Sequence, residues 1–218
     1  SFMNSEKLKK HMRCLFTYGG MYLVCNSNLL YHASVPLNED GSFKHVNICG
    51  KEYWGKNLLD KIDQLIRTAY FDEDDEEEKR FAMDYIWYLW CGPDAPSFDK
   101  DKMATFERYF IADKSLHKET KGYYYALRNK EEICDRILEE FGVTGQHTHI
   151  INGHVPVKTI KGEQPMKAGG KLLVIDGGFS KAYQPETGIA GYTLVYHSHG
   201  LQSVSYTHLR AHETGRNL

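Results

Sequence analysis

The chain has no excess of basic residues, no long apolar run and no neighbouring pair of cysteines. Lysine plus arginine number 27 against 29 acidic residues among 218, a formal net charge of −2. A nucleic-acid-binding module normally carries a basic excess or stripe, so nucleic acid is not an expected partner. No stretch approaches the ~18 consecutive apolar residues that span a bilayer, and the opening SFMNSEKLKKH lacks the apolar centre of a signal peptide. Neither a membrane protein nor a secretory precursor is expected. The cysteines Cys14, Cys25, Cys49, Cys91 and Cys134 are scattered without a C-x-x-C. That spacing offers neither a disulfide framework nor a thiolate zinc site, and free thiols fit a reducing cytoplasm. There is also no G-x-G-x-x-G, Walker loop or G-x-S-x-G, so the enzyme classes built on those motifs gain no support.

What is present is an ordinary soluble composition, 41% apolar and 26% charged, at a length suited to one domain, possibly two. Residues 5–16 read as an amphipathic helix broken by Gly19-Gly20. Met21–Cys25 and Asn28–His32 read as strands about a polar Asn26-Ser27 turn, and Lys44–Cys49 and Glu52–Trp54 as a hairpin about Gly50-Lys51. Asn57–Tyr70 places Leu58, Leu59, Ile62, Leu65, Ile66 and Ala69 at helical period. Lys79–Trp90, Lys102–Ala112 and Glu131–Phe141 are helical in pattern, the last capped by Gly142. The unbroken acidic run from Asp72 to Glu78 is expected to be a solvated, self-repelling connector rather than a metal site. The cluster Tyr85-Ile86-Trp87-Tyr88-Leu89-Trp90 is expected to be core. Beyond Gly142, Thr148–Asn152, Val155–Ile160, Lys171–Ile175 and Gly191–Tyr196 read as strands punctuated by glycine. Helices and strands in one chain, with glycines at strand ends, predict a layered α/β (α+β) domain whose site lies at loop tips.

Two histidines carry the first chemical signal. His32, in LLYHASVP, and His154, in IINGHVPVK, each follow a short apolar strand and precede a proline. A strand that ends in a loop delivers a side chain to the sheet edge in a fixed direction. Neutral imidazole is the commonest ligand for metals such as zinc, manganese or iron. A buried, hydrogen-bonded histidine at a sheet end is the competing reading. Asp176, after the apolar run Leu172–Ile175 and before Gly177-Gly178, places a carboxylate at a site or in a tight turn. Arg108 offers a planar fork for a phosphate or lies on the wet face of a helix. Tyr123-Tyr124-Tyr125 stack on a sugar or sit half-buried.

The C-terminal end reads differently. VSYTHLRAHET, from Val204 to Thr214, matches the translation of a transposase mosaic end followed by a sequencing adapter. Residues 204–218 are therefore expected to be non-native, and the i, i+4 pair His208 and His212, with Glu213, to carry no function. Residues 1–203 are expected to be the native portion.

Taken together, LLYHASVP, IWYLWCGPDAPSF, TFERYFIADKSLHKE, IINGHVPVK and GKLLVIDGGFSKAYQPETGIAGYTLVY resemble the class III bacterial fructose-1,6-bisphosphatases, a branch of the calcineurin-like metallophosphoesterases. The resemblance implies a sandwich of two sheets flanked by helices, with a two-metal centre, Mn²⁺ by preference, at the strand ends. It implies metal-dependent hydrolysis of fructose 1,6-bisphosphate to fructose 6-phosphate and phosphate, a gluconeogenic step of carbohydrate metabolism in the cytoplasm. Of the family's ordered ligand motifs, His32 fits the fourth and Gly153-His154 the fifth, so both histidines are expected to bind metal. Ala33 stands where glycine commonly follows the histidine. The motifs D-x-H, G-D-x-x-D-R and G-N-H do not occur, so this piece is expected to be C-terminal and to lack the N-terminal half, its catalytic residues and much of its metal centre. It is expected to be inactive alone. Arg108, Lys158 and Lys181 are candidates for the second phosphate on charge, with Asp176 beside the substrate. A metallophosphoesterase with another phosphoester substrate, or a non-catalytic interaction domain, are the alternatives.

Overall fold

The computed structural model describes residues 4–72, 75–198 and 200–206. Along the chain run α1 (Glu6–Tyr18), β1 (Tyr22–Cys25), β2 (Asn28–Tyr31), β3 (Val46–Ile48), β4 (Lys51–Tyr53), α2 (Gly55–Phe71) and α3 (Glu76–Cys91). There follow α4 (Thr105–Phe110), α5 (Tyr124–Leu127), α6 (Glu131–Glu140), β5 (His149–Asn152), β6 (Met166–Lys167), β7 (Leu172–Val174), α7 (Gln184–Thr187), β8 (Gly191–His197) and β9 (Gly200–Tyr206).

The mixed α/β architecture centres on a five-stranded sheet in the order β1-β2-β5-β7-β6. β2, β5 and β7 are parallel neighbours, while β1 and β6 run antiparallel at the edges. The β1–β2 turn follows from its residues. Asn26 and Ser27 have φ of 50° and 60°, which supplies the twist of a two-residue hairpin, and the Asn28 amide donates to the carbonyls of Cys25 and Asn26.

Strand alternation splits the sheet into two faces. Leu29, Tyr31, Ile150, Leu172 and Val174 face one cluster with Ile133, Cys134, Ile137 and Leu138 of α6 and with Tyr124. α6 presents those residues on one stripe and ends at Gly142, whose φ of 72° suits a left-handed C-terminal stop. The intervening positions are apolar as well. Leu23 pairs with Leu30, Leu30 with Ile151, and Ile151 with Leu173, forming one in-register row across four strands. Leu23 is 57% exposed, and Leu23, Leu30 and Ile151 line a cleft of about 970 Å³. α2 packs separately, burying Leu58, Ile62 and Leu65 against Ile48 and Ala82.

Several sequence expectations are corrected. Val155–Ile160 forms no strand: His154 turns the backbone into the left-handed region (φ 64°), and Thr159–Lys161 is a 3-10 turn. Val157 is nevertheless buried, and its N–H donates to the Asp176 carbonyl. The acidic run is not wholly a connector. Asp75 caps α3 by accepting from the N–H groups of Glu77 and Glu78, and Glu76–Glu78 form its first turn, where negative charge suits the helix dipole. The aromatic cluster is core only in part: Tyr85 and Leu89 pack against the α2 core, whereas Trp87 and Trp90 are 60% and 58% exposed. The second hairpin turns at Cys49-Gly50, both left-handed, rather than at Gly50-Lys51. α4 covers only Thr105–Phe110. Val204–Tyr206 pair with Gly191–Thr193, while His208, His212 and Glu213 lie outside the described residues. No helix of the described residues is long and apolar enough to cross a membrane.

Candidate functional site

Parallel neighbours end on the same edge of a sheet, and the loops leaving their carboxyl ends form the usual ligand-facing rim of such sheets. Here β2, β5 and β7 end side by side and lead directly to His32, Gly153-His154 and Asp176. The sequence separation of 122 residues between the two histidines collapses to a contact of 3.1 Å between His32 Nε2 and His154 Nδ1. One ring donates to the other, with the rings edge-on at 70°.

The loops are tied by backbone. Gly153 N–H donates to the His32 carbonyl at 2.9 Å, extending the parallel ladder past β2. Val155 N–H donates back to the Gly153 carbonyl at 2.7 Å, enclosing His154 in a tight γ-turn with positive φ. A non-glycine residue held there costs on the order of 1–3 kcal/mol and persists only where its surroundings enforce it. Such strain concentrates at functional positions. His32 is exposed and His154 half-buried, while Ala33, Ser34 and Val35 are buried directly after His32.

Electrostatics favour a neutral His154. Burial lowers its pKa below the ordinary imidazole value, His32 and the Lys100 ammonium lower it further, and the Asp176 carboxylate opposes them. Asp176 Oδ1 accepts from Gly178 N–H at 2.8 Å, fixing the carboxylate at the end of β7. Lys100 is held by Glu119 at 2.7 Å, and the same carboxylate takes Arg108 at 3.3 Å. Arg108 therefore joins the charged group that reaches His154. Lys158 is half-buried, with its backbone N–H donating to Glu163, and Lys181 is exposed.

Two functional-looking positions escape sequence reading. Asn152, 2% exposed, ends β5, and Lys100 sits in a loop with no motif of its own. A polar amide closing an otherwise apolar strand was the available signal for Asn152. Within the tyrosine triplet, Tyr124 is fully buried and hydrogen-bonded to Tyr31 at 2.8 Å, Tyr125 is half-buried and Tyr123 is exposed.

The donor set fits a first-row divalent ion in part. The 3.1 Å gap matches two imidazole nitrogens that contact one ion at about 2.1 Å each. Asn152 Oδ1 is a buried acceptor with no hydrogen-bond partner among the described residues. No group of three or more His, Cys, Asp or Glu among the described residues converges as a complete site.

A family model described as Firmicute fructose-1,6-bisphosphatase matches residues 1–216. The chain is similar to the fructose-1,6-bisphosphatase class 3 of Bacteroides fragilis, 98% identical over 206 residues, covering 94% of this chain and 31% of that protein. The protein of the same description from Bacteroides thetaiotaomicron is 82% identical over the same shares, and that from Clostridium tetani is 62% identical over 92% of this chain and 30% of its own length. The chain thus spans about a third of the length of the curated relatives it matches. No solved structure matches.

Proposed function

The chain belongs to the Firmicute fructose-1,6-bisphosphatase family, and from that premise we propose that the polypeptide at its relatives' full length hydrolyses fructose 1,6-bisphosphate to fructose 6-phosphate and phosphate. The observation that carries the reading is the meeting of His32 and His154 at the ends of adjacent parallel strands. In this reading the two imidazoles are ligands of one ion in a two-metal centre, Mn²⁺ by preference, and the remaining ligands and the catalytic acid come from outside this chain. When bound, such an ion lowers the pKa of a coordinated water and neutralises charge on the phosphoryl group.

The chain's own residues serve that task in definite ways. A ligand imidazole must be neutral, and burial together with Lys100 keeps His154 so at neutral pH. Asp176 is assigned to the substrate from its place just beyond the end of β7. Arg108 is assigned to a substrate phosphate, supported by the Glu119 carboxylate it shares with Lys100. Lys158 and Lys181 are assigned there on charge alone. Two imidazoles without a bridging carboxylate hold Mn²⁺ weakly, because that ion binds near the weak end of the divalent series. The isolated chain is accordingly inactive in this reading.

The fold is read as one layer of a calcineurin-like, two-sheet sandwich. The support is the second apolar face: the row Leu23, Leu30, Ile151 and Leu173 has the pattern of a sheet covered on both sides. Residues 204–218 are read as non-native sequence, and the five unpaired thiols support a cytoplasmic setting.

The test is phosphate release by the full-length polypeptide with Mn²⁺, across fructose 1,6-bisphosphate, other sugar phosphates, a phosphopeptide and a dinucleotide. Preference for fructose 1,6-bisphosphate is expected. Preference for the phosphopeptide or dinucleotide would assign the same site to another phosphoester, and no release from any would contradict a hydrolase.

A further inference from the structure

We infer that Asn152 is a positioning residue that holds the loop of His32 against the loop of His154. The inference deepens the reading of the pair as ion ligands and rests on it for its consequence, though not for its geometry.

Asn152 spends both protons of its amide. Nδ2 donates to the Ala33 carbonyl at 3.1 Å and to Tyr124 Oη at 2.7 Å. Tyr124 Oη shares a 2.8 Å hydrogen bond with Tyr31 Oη. Tyr31 and Ala33 are the residues immediately before and after His32, so the network grips His32 from both sides. The third grip comes from the Gly153 N–H on the His32 carbonyl. All three originate at or through the end of β5, two residues from His154. Tyr31, Tyr124 and Asn152 are each buried, at 6%, 0% and 2% exposure. Removing a buried donor leaves its partners unsatisfied. Asn152 also continues the sheet on its other side, its carbonyl accepting from Ile175 N–H at 2.9 Å beside Asp176.

A structural amide elsewhere in the core would stabilise the fold without setting the distance between two side chains. This one couples the exposed His32 to the strained γ-turn of His154. Groups behind metal ligands typically change metal affinity about 10- to 100-fold when removed.

The test uses the 218-residue chain, with NMR of its histidine side chains. In the metal-free chain the two imidazoles should show mutual proton contacts, and Mn²⁺ should broaden both sets of signals together. Asn152→Leu, which keeps the same branched outline of four heavy atoms but no hydrogen-bonding group, should abolish the mutual contacts and weaken Mn²⁺ broadening about 10-fold or more. Tyr124→Phe, which keeps the ring and folds more readily, should weaken it about 3- to 10-fold, within the range for such outer groups. Ile137→Val, in the same core but away from the loops, should lower thermal stability and leave both readouts unchanged. Retained imidazole contacts in both Asn152→Leu and Tyr124→Phe, or equal loss in Ile137→Val, would overturn the inference. If the parent chain shows the contacts but Mn²⁺ broadens neither histidine, the ion-ligand reading fails, and the metal-free contacts still decide the role of Asn152.

Discussion

The two faces of the central sheet differ in what lies against them. On one, Leu29, Tyr31, Ile150, Leu172 and Val174 are sealed beneath α6 and Tyr124. On the other, Leu23, Leu30 and Ile151 of an equally apolar row one residue out of phase line an open cleft, with Leu23 57% exposed at its edge. Both faces carry the composition of a buried surface, but the second is covered only in part: Ile151 and Leu173 are buried, while Leu30 is half-buried and Leu23 exposed. The difference is greatest at β1 and β2, where the proposed second sheet would lie against Leu23 and Leu30. The histidine pair sits where the two faces meet, at the carboxyl ends of β2 and β5.

The comparison is broken most severely from the covered face. Leu29→Ala should cost roughly 2–5 kcal/mol in urea unfolding, since Leu29 is fully buried and its cavity cannot collapse freely. A smaller loss would mean that α6 does not seal that face.

Next in size is a pH effect beneath the same cluster. Asp99 is 4% exposed, its Oδ2 has no partner among the described residues, and burial pushes its carboxyl up to about 6 from 3.8. The folded chain therefore keeps this proton to higher pH than the unfolded chain. The stability it contributes is fully present below about pH 4 and is lost as pH rises to about 6. Asp99→Asn should flatten that window by an amount on the order of 2–3 kcal/mol, read from unfolding midpoints at pH 4 and pH 7. An unchanged slope would place the charge in water.

The open face sharpens the contrast. Leu30→Ala should cost about 1 kcal/mol in this chain and, if the proposed second layer covers the row, several times that in a polypeptide of the relatives' full length. Equal costs in both would contradict the two-layer reading. The smallest effect is at the rim: Leu23→Ala should change stability of this chain by no more than about 0.5 kcal/mol.

Much of this was legible from residue pattern. The runs Leu29-Leu30, Ile150-Ile151 and Leu172-Leu173-Val174 marked the parallel strands because both of their faces are apolar, and the stripe of α6 marked its buried side. The histidines were legible as strand-end residues, but not their partnership, which depends on β2 and β5 being neighbours across 122 residues. Val155–Ile160 misled because Val155 and Val157 alternate like a strand and Thr159 and Ile160 are β-branched, whereas the left-handed His154 turns the chain out of the ladder. The aromatic cluster of α3 misled because composition does not say which layer meets it. Asn152 went unread because its role lies in two donations to residues far away in sequence.

The most direct measurement is Mn²⁺-dependent phosphate release from fructose 1,6-bisphosphate by the full-length polypeptide, comparing the parent with His32→Ala and His154→Ala at matched, subsaturating Mn²⁺. The account predicts that each substitution lowers turnover by about 100-fold or more, with Mn²⁺ binding weakened in step. Turnover and Mn²⁺ affinity within about threefold of the parent in both variants would contradict it, since each imidazole is read as a direct ligand and outer groups alone move affinity more than that.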